Sequence, residues 1–115
     1  MPQLTVYLSG ASQAPIFSAA DLGAMNRALA SVETVKLEDI KSRLVVCETY
    51  CTGTGDADVK SLLVRCGVLL GRSMQVKEKM RDVLLDACVA VLGERTGYSV
   101  AVDVYEMPCY GKISL

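Results

Sequence analysis

The segment VKSLLVRCGVLLGRSMQVKEKMRDVLLDACVAVLGERTGYSVAVDVY, residues 59–105, decides the fold. Val59 to Leu70 is rich in β-branched and apolar residues and is apolar on both faces toward its end, the pattern of a well-buried strand. Gly71-Arg72-Ser73 interrupts it. From Ser73 to about Glu94, the residues Val76, Met80, Val83, Ala87 and Val91 recur at spacings of 4, 3, 4 and 4, and Leu84 and Cys88 widen the stripe. That is one face of an amphipathic helix. Gly93 and Gly97 bracket its end. Tyr98 to Tyr105 then alternates as a half-buried strand does.

Working outward, the first half repeats this order. Leu4 to Leu8 reads as a strand and Ser9 to Pro15 as turn material. Ser18-Ala19-Ala20-Asp21 fits a capping box, and Leu22, Met25, Leu29 and Val32 line one helical face after it. Glu38 to Tyr50 reads as a long second strand. Thr52-Gly53-Thr54-Gly55-Asp56 is a turn between two strands, which predicts a hairpin joining them. It opens no helix, so it is no phosphate loop. Met107 to Leu115 is a tail that can form a short extra strand.

The expected architecture is an α/β two-layer sandwich in the order β-α-β-β-α-β, with two helices on one face of a four-stranded sheet. The halves share element order without clear residue identity. At 115 residues the chain is expected to be one domain, 1–115. The second face of such a sheet needs a cover, most simply another subunit in a chain this short.

Composition narrows the function classes. A net charge of −1 with no basic stripe speaks against nucleic acid as partner. No apolar run approaches the roughly 20 residues of a membrane span, and Met1-Pro2-Gln3-Leu4 has no signal-peptide character, so the expectation is a cytoplasmic protein without membrane partners. The five cysteines, Cys47, Cys51, Cys66, Cys88 and Cys109, include no C-x-x-C pair and read as reduced, packed thiols. Cys47 and Cys51 are expected on one strand face, about 13 Å apart, beyond disulfide reach. Histidine is absent. Its absence removes Ser-His-Asp and Cys-His nucleophile systems and most zinc sites. With no histidine, the α-amino group is the ordinary titrating group nearest neutral pH.

That group draws attention to Pro2. A small second residue allows Met1 to be removed, leaving a secondary amine on a rigid ring just ahead of a buried strand. Burial and nearby cations both disfavour its charged form and bring it toward the range proton transfer needs. The plain alternative is a proline that merely precedes a strand. Arg72 is the second candidate. Ser73 can cap the following helix, whose free N–H groups favour anions, and Arg72 beside it adds a planar fork suited to carboxylate. A cation at a helix N-terminus is otherwise misplaced. A surface arginine with a solvated head is the alternative. Lys41 and Arg43 lie two apart on one strand face and can add positive charge for an anionic substrate, or simply form a solvated strand end.

Together, Met1-Pro2, Asp21-Leu22, Asn26, Leu29-Ala30, Ile40-x-Ser42-Arg43, Gly71-Arg72-Ser73 and the acidic end of strand four at Glu106 resemble the 5-carboxymethyl-2-hydroxymuconate isomerase family of the tautomerase superfamily. The resemblance implies a homotrimer with active sites near subunit contacts. It also implies a cofactor-free, metal-free proton shift that takes a dienol carboxylic acid to its keto isomer in aromatic catabolism. Pro2 would be the acid–base group and Arg72 a catalytic arginine that binds the carboxylates of a small di- or tricarboxylate. The second family arginine falls on Lys41, with Arg43 the alternative; a lysine there keeps the charge and loses the bidentate fork. Hydratase or dehalogenase chemistry would use the same residues. A different class shares the element order: ferredoxin-like modules that bind ligands or regulatory partners without catalysis, in which Pro2 would be incidental.

Overall fold

The computed structural model describes residues 2–10, 17–55 and 59–115. The elements are β1 (Gln3–Ser9), α1 (Ala19–Ala30), a 3-10 turn (Leu37–Asp39), β2 (Lys41–Cys47), β3 (Lys60–Val68), α2 (Met74–Leu92) and β4 (Tyr98–Glu106). One sheet holds the strands in the order β2-β1-β3-β4. The outer pairs β1–β2 and β3–β4 are parallel and the central pair β1–β3 is antiparallel. Each parallel pair is bridged by a helix, so two βαβ units sit back to back. The two helices pack on one face, in the two-layer arrangement the sequence predicts.

The expected hairpin between the second and third strands does not form. β1 lies between them. Leu4, Val6 and Leu8 alternate along β1 and are fully buried, so this strand takes a central place where both neighbours satisfy its backbone groups. The end of β2 at Cys47 and the start of β3 at Lys60 therefore lie on opposite sides of β1. β2 is also shorter than expected. Glu38 and Asp39 belong to the 3-10 turn, closed by the Ile40 N–H on the Leu37 carbonyl, and the strand starts at Lys41. Cys51 lies beyond β2, so it shares no strand face with Cys47, and all five thiols are free. The turn expected over residues 9–15 falls mostly outside the described residues, as does Asp56. Thr52 to Gly55 does turn, closed by the Gly55 N–H on the Thr52 carbonyl at 2.9 Å.

Both helix starts behave as their sequences dictate. Ser18 and Asp21 form the reciprocal capping box, and the Ser73 hydroxyl accepts the Val76 N–H at 3.2 Å. Gly93 caps the end of α2 with a φ of 61°. The buried stripe of α2 runs Met80, Leu84, Cys88 and Leu92, with Val76, Val83, Ala87 and Val91 at its margin. Met25 and Leu29 of α1 meet it over Leu62, Val64, Cys66 and Val68 of β3. Each fully buried leucine here contributes about 1.5–3 kcal/mol.

The tail after β4 adds no strand. The Met107 N–H donates to the Val68 carbonyl at 2.7 Å, and Gln3 Nε2 donates to the Tyr110 hydroxyl at 3.2 Å. Gly67 leaves room for the side chains beside it: a Cβ there would stand 2.8 Å from Met107 Sδ and 2.9 Å from the Tyr105 ring, so those side chains would have to shift. Among the described residues no helix is long and apolar enough to cross a membrane.

Two core thiols give the fold a pH dependence. Burial pushes Cys66 up to about 12, partly offset by the nearby Arg72 guanidinium, and pushes Cys88 up to about 11. An unfolded thiol ionises near pH 8.5, so above that pH the unfolded chain releases protons that the folded chain keeps. The thiols' contribution is complete below about pH 8.5 and is lost as pH rises toward 11 for Cys88 and 12 for Cys66. Urea titrations from pH 8 to 10.5 are expected to show falling stability. A Cys66→Ala/Cys88→Ala double variant, less stable at pH 8, should fall less steeply. An equal slope would contradict the assignment.

Candidate functional site

The sheet has one end where β1 and β2 begin and β3 and β4 finish. The start of α2 and the turn leaving α1 lie at the same end, because each helix connects parallel strands. Pro2 stands there. It continues the inward parity of Leu4, Val6 and Leu8, its side chain is less than 2% exposed, and its carbonyl accepts the Lys41 N–H at 3.2 Å. Extending the β1–β3 register by one position sets Pro2 opposite Val68, the last residue of β3.

From Val68 the chain runs through Leu69 and Leu70 into Gly71, whose φ of 111° only glycine adopts readily. Arg72 follows, one residue before the Ser73 cap. Its guanidinium reaches the turn after α1, where Nη2 donates to the Thr34 carbonyl at 3.4 Å. Arg72 Nε is buried and has no hydrogen-bond partner among the described residues. A buried N–H donor without a partner is costly, and far more so on a cationic group. Arg72 also lies close enough to Cys66 for its charge to hold that thiol's pKa down. Cys66 faces Leu4 across the ladder, two positions along from Pro2, so the charge of Arg72 falls on the starting end of β1.

The other two sequence candidates share a face, as their spacing requires, but it is the open face, opposite the helices. Lys41 is level with Gln3 and Arg43 with Thr5. The Arg43 fork is occupied: Nη1 donates to Thr5 Oγ1 at 3.2 Å and Nη2 to Gln3 Oε1 at 3.0 Å. Lys41 is exposed, makes no ion pair among the described residues, and is tied to Pro2 through its backbone N–H. Of the pair, it is Lys41 that adjoins Pro2.

Three further groups gather at this end. Lys77 in the first turn of α2 pairs with Glu106 at the end of β4, at 3.4 Å. Helix spacing could have placed Lys77 one turn past Ser73, but nothing in the sequence pairs it with Glu106. Cys66 sits beneath Arg72. The Thr34 carbonyl holds the guanidinium, and no local signal marks it, since the turn contains no glycine. Leu70 and Met74, beside Arg72 in the chain, and Leu37, three residues after Thr34, are large apolar residues left exposed, which gives this end an apolar rim. Pro2 and Arg72 thus stand at one end of the sheet on the helix side, and the Lys41 side chain lies at the same end on the open face.

No family model matches the sequence, and no curated protein matches it. Solved structures do match its fold. The chain is similar to a 5-carboxymethyl-2-hydroxymuconate isomerase from Deinococcus radiodurans R1, with a TM-score of 0.83 and 16% identity over 98% of this chain and 90% of that one. It is similar to a 5-carboxymethyl-2-hydroxymuconate delta-isomerase, with a TM-score of 0.77 and 16% identity over 99% and 89% of the two chains. A fused 4-OT symmetric trimer superposes with a TM-score of 0.75 and 22% identity over 92% and 85%. The architecture is thus the tautomerase-like fold, extending over nearly the whole chain.

Proposed function

We propose that this chain is a cofactor-independent tautomerase. It would convert an unsaturated 2-hydroxy (dienol) carboxylic acid, of the 5-carboxymethyl-2-hydroxymuconate type, to its keto isomer. What supports the reading is that buried Pro2 and Arg72, whose buried Nε has no partner among the described residues, both belong to one end of a sheet with the tautomerase-like fold. A substrate carboxylate would meet Arg72 at the part of its guanidinium that remains accessible, since the residue as a whole is half-buried.

With Met1 removed, the Pro2 nitrogen is a secondary amine. It accepts the proton from the enol oxygen and returns one to the far carbon of the conjugated system. The C=C bond shifts and the C–O bond becomes a carbonyl, so atoms and charge balance without a co-reactant. Arg72 binds the carboxylate and steadies the negative charge that develops on the dienolate. Lys41 is the second cation. Arg43 is committed to Gln3 and Thr5, which favours Lys41 over it.

A homotrimer follows from the same reading. The fused 4-OT neighbour is a trimer. The open face here carries the half-exposed apolar residues Val45 and Leu63 beside the Arg65–Asp103 pair, a surface suited to cover by further copies. Sedimentation is expected to give a trimer; a monomer would remove the expected cover. The test of function is an ultraviolet assay of 2-hydroxymuconate ketonisation, on protein whose intact mass shows Met1 removed. Catalysed ketonisation supports the reading, and a rate equal to buffer alone overturns it.

A further inference from the structure

Thr34 is the only residue other than glycine with positive φ among the described residues, at 71°. A β-branched side chain in the left-handed region is a genuine outlier. Nothing about burial forces it, because Thr34 is exposed. The local geometry explains the conformation. The Val35 N–H donates to the Val32 carbonyl at 3.2 Å, so residues 32–35 form a β-turn. Positive φ at its third residue alone makes it a type II turn, where glycine is the usual occupant. Val32 and Val35 are buried at 5% and 9% exposure and anchor both ends in the core. Glu33 pairs with Lys79 of α2 at 2.6 Å. The Thr34 carbonyl accepts Arg72 Nη2. The turn is thus fastened to the core, to α2 and to the arginine that precedes α2.

We propose that Thr34 is a positioning residue for Arg72: the strained type II turn fixes the carbonyl that holds one guanidinium nitrogen, and so sets where the guanidinium stands for the substrate carboxylate. This rests on the tautomerase reading for the identity of the ligand, though not for the placement of Arg72. Strain maintained by surrounding structure is characteristic of sites that hold a group in place for function. A turn serving chain reversal alone would gain from glycine and would carry no contact to Arg72.

The test uses Thr34→Gly, which keeps positive φ available, and Thr34→Pro, whose ring fixes φ near −65° and forbids this turn. The first readout is the ¹⁵N-detected Arg72 Nε–H signal, assigned by its loss in Arg72→Lys. The expected result is a rigid, exchange-protected signal in the wild type and in Thr34→Gly, and a mobile one in Thr34→Pro. Thr34→Gly should also melt several degrees higher, because it relieves the strain. The second readout is kinetic: Thr34→Pro should raise KM about tenfold or more with a smaller change in kcat, and Thr34→Gly should restore wild-type values. If Thr34→Pro fails to fold, the wild-type spectrum decides, since a freely mobile Arg72 Nε–H overturns the proposal. So does a rigid signal that Thr34→Pro leaves unchanged. A wild type without ketonisation activity but with a rigid Arg72 that Thr34→Pro loosens would instead overturn the functional reading and leave this inference standing.

Discussion

Replacing Pro2 with alanine is expected to lower the ketonisation rate by about 10²- to 10⁴-fold, the usual contribution of a positioned general acid–base group. The residual rate has a physical source. Alanine also permits removal of Met1, and its primary amine still titrates near pH 8. The ring is what disappears, and with it the fixed direction of the nitrogen lone pair. Folding should survive, because alanine keeps the carbonyl that accepts the Lys41 N–H. Losing a ring that is less than 2% exposed leaves a small cavity worth about 1–2 kcal/mol. The expected signature is a lower melting temperature of modest size beside a far larger loss of turnover. Equal loss of both, traced to unfolded protein, would reduce Pro2 to a packing residue.

Removing Arg72 is expected to separate function from stability in the opposite direction. Arg72→Ala should reduce kcat/KM by about 10²- to 10³-fold, the range for deleting a group that stabilises developing negative charge. Arg72→Lys should recover only part of this, because the ammonium keeps the charge and loses the planar fork. Stability should hardly change or should rise. Nε is buried without a partner, so the side chain already carries a desolvation cost, and truncation removes that cost along with one long hydrogen bond of 3.4 Å. Stability sacrificed to keep a donor ready is the pattern of a functional residue. A drop in melting temperature with unchanged kcat/KM would make Arg72 a structural link between α2 and the turn after α1.

The elements were legible in the sequence where periodicity and capping agreed. The Ser18–Asp21 box and the Ser73 cap stand where the residues put them, while the buried α2 stripe is centred on Met80, Leu84, Cys88 and Leu92, with the expected Val76, Val83, Ala87 and Val91 at its margin. Strand neighbours were less legible, since alternation in β2 and β3 says that each is half-buried and does not say which strand lies beside it. The connection of residues 48–59 did hold a clue: it is long for a hairpin, whose loops usually have two to five residues. A Thr-Gly-Thr-Gly run outweighed that length. At the site, the period of two correctly placed Lys41 and Arg43 on one face. It could not show that Gln3 and Thr5 on the adjacent strand occupy Arg43, because that depends on the β1–β2 register. Thr34 was invisible for a related reason: a type II turn built without glycine leaves no local signature, and its meaning comes from an arginine 38 residues away.

The most direct test of the central claim compares two forms of one sequence: the processed chain beginning at Pro2, and the same chain with Met1 retained. Every side chain from residue 2 onward is identical, and only the chemistry of the Pro2 nitrogen differs, a secondary amine in one and an amide without basicity in the other. Ketonisation of 2-hydroxymuconate confined to the processed form, with both forms folded by circular dichroism, is the predicted result. Equal rates in the two forms would contradict the account, because the proton would then be carried by a group other than the terminal proline.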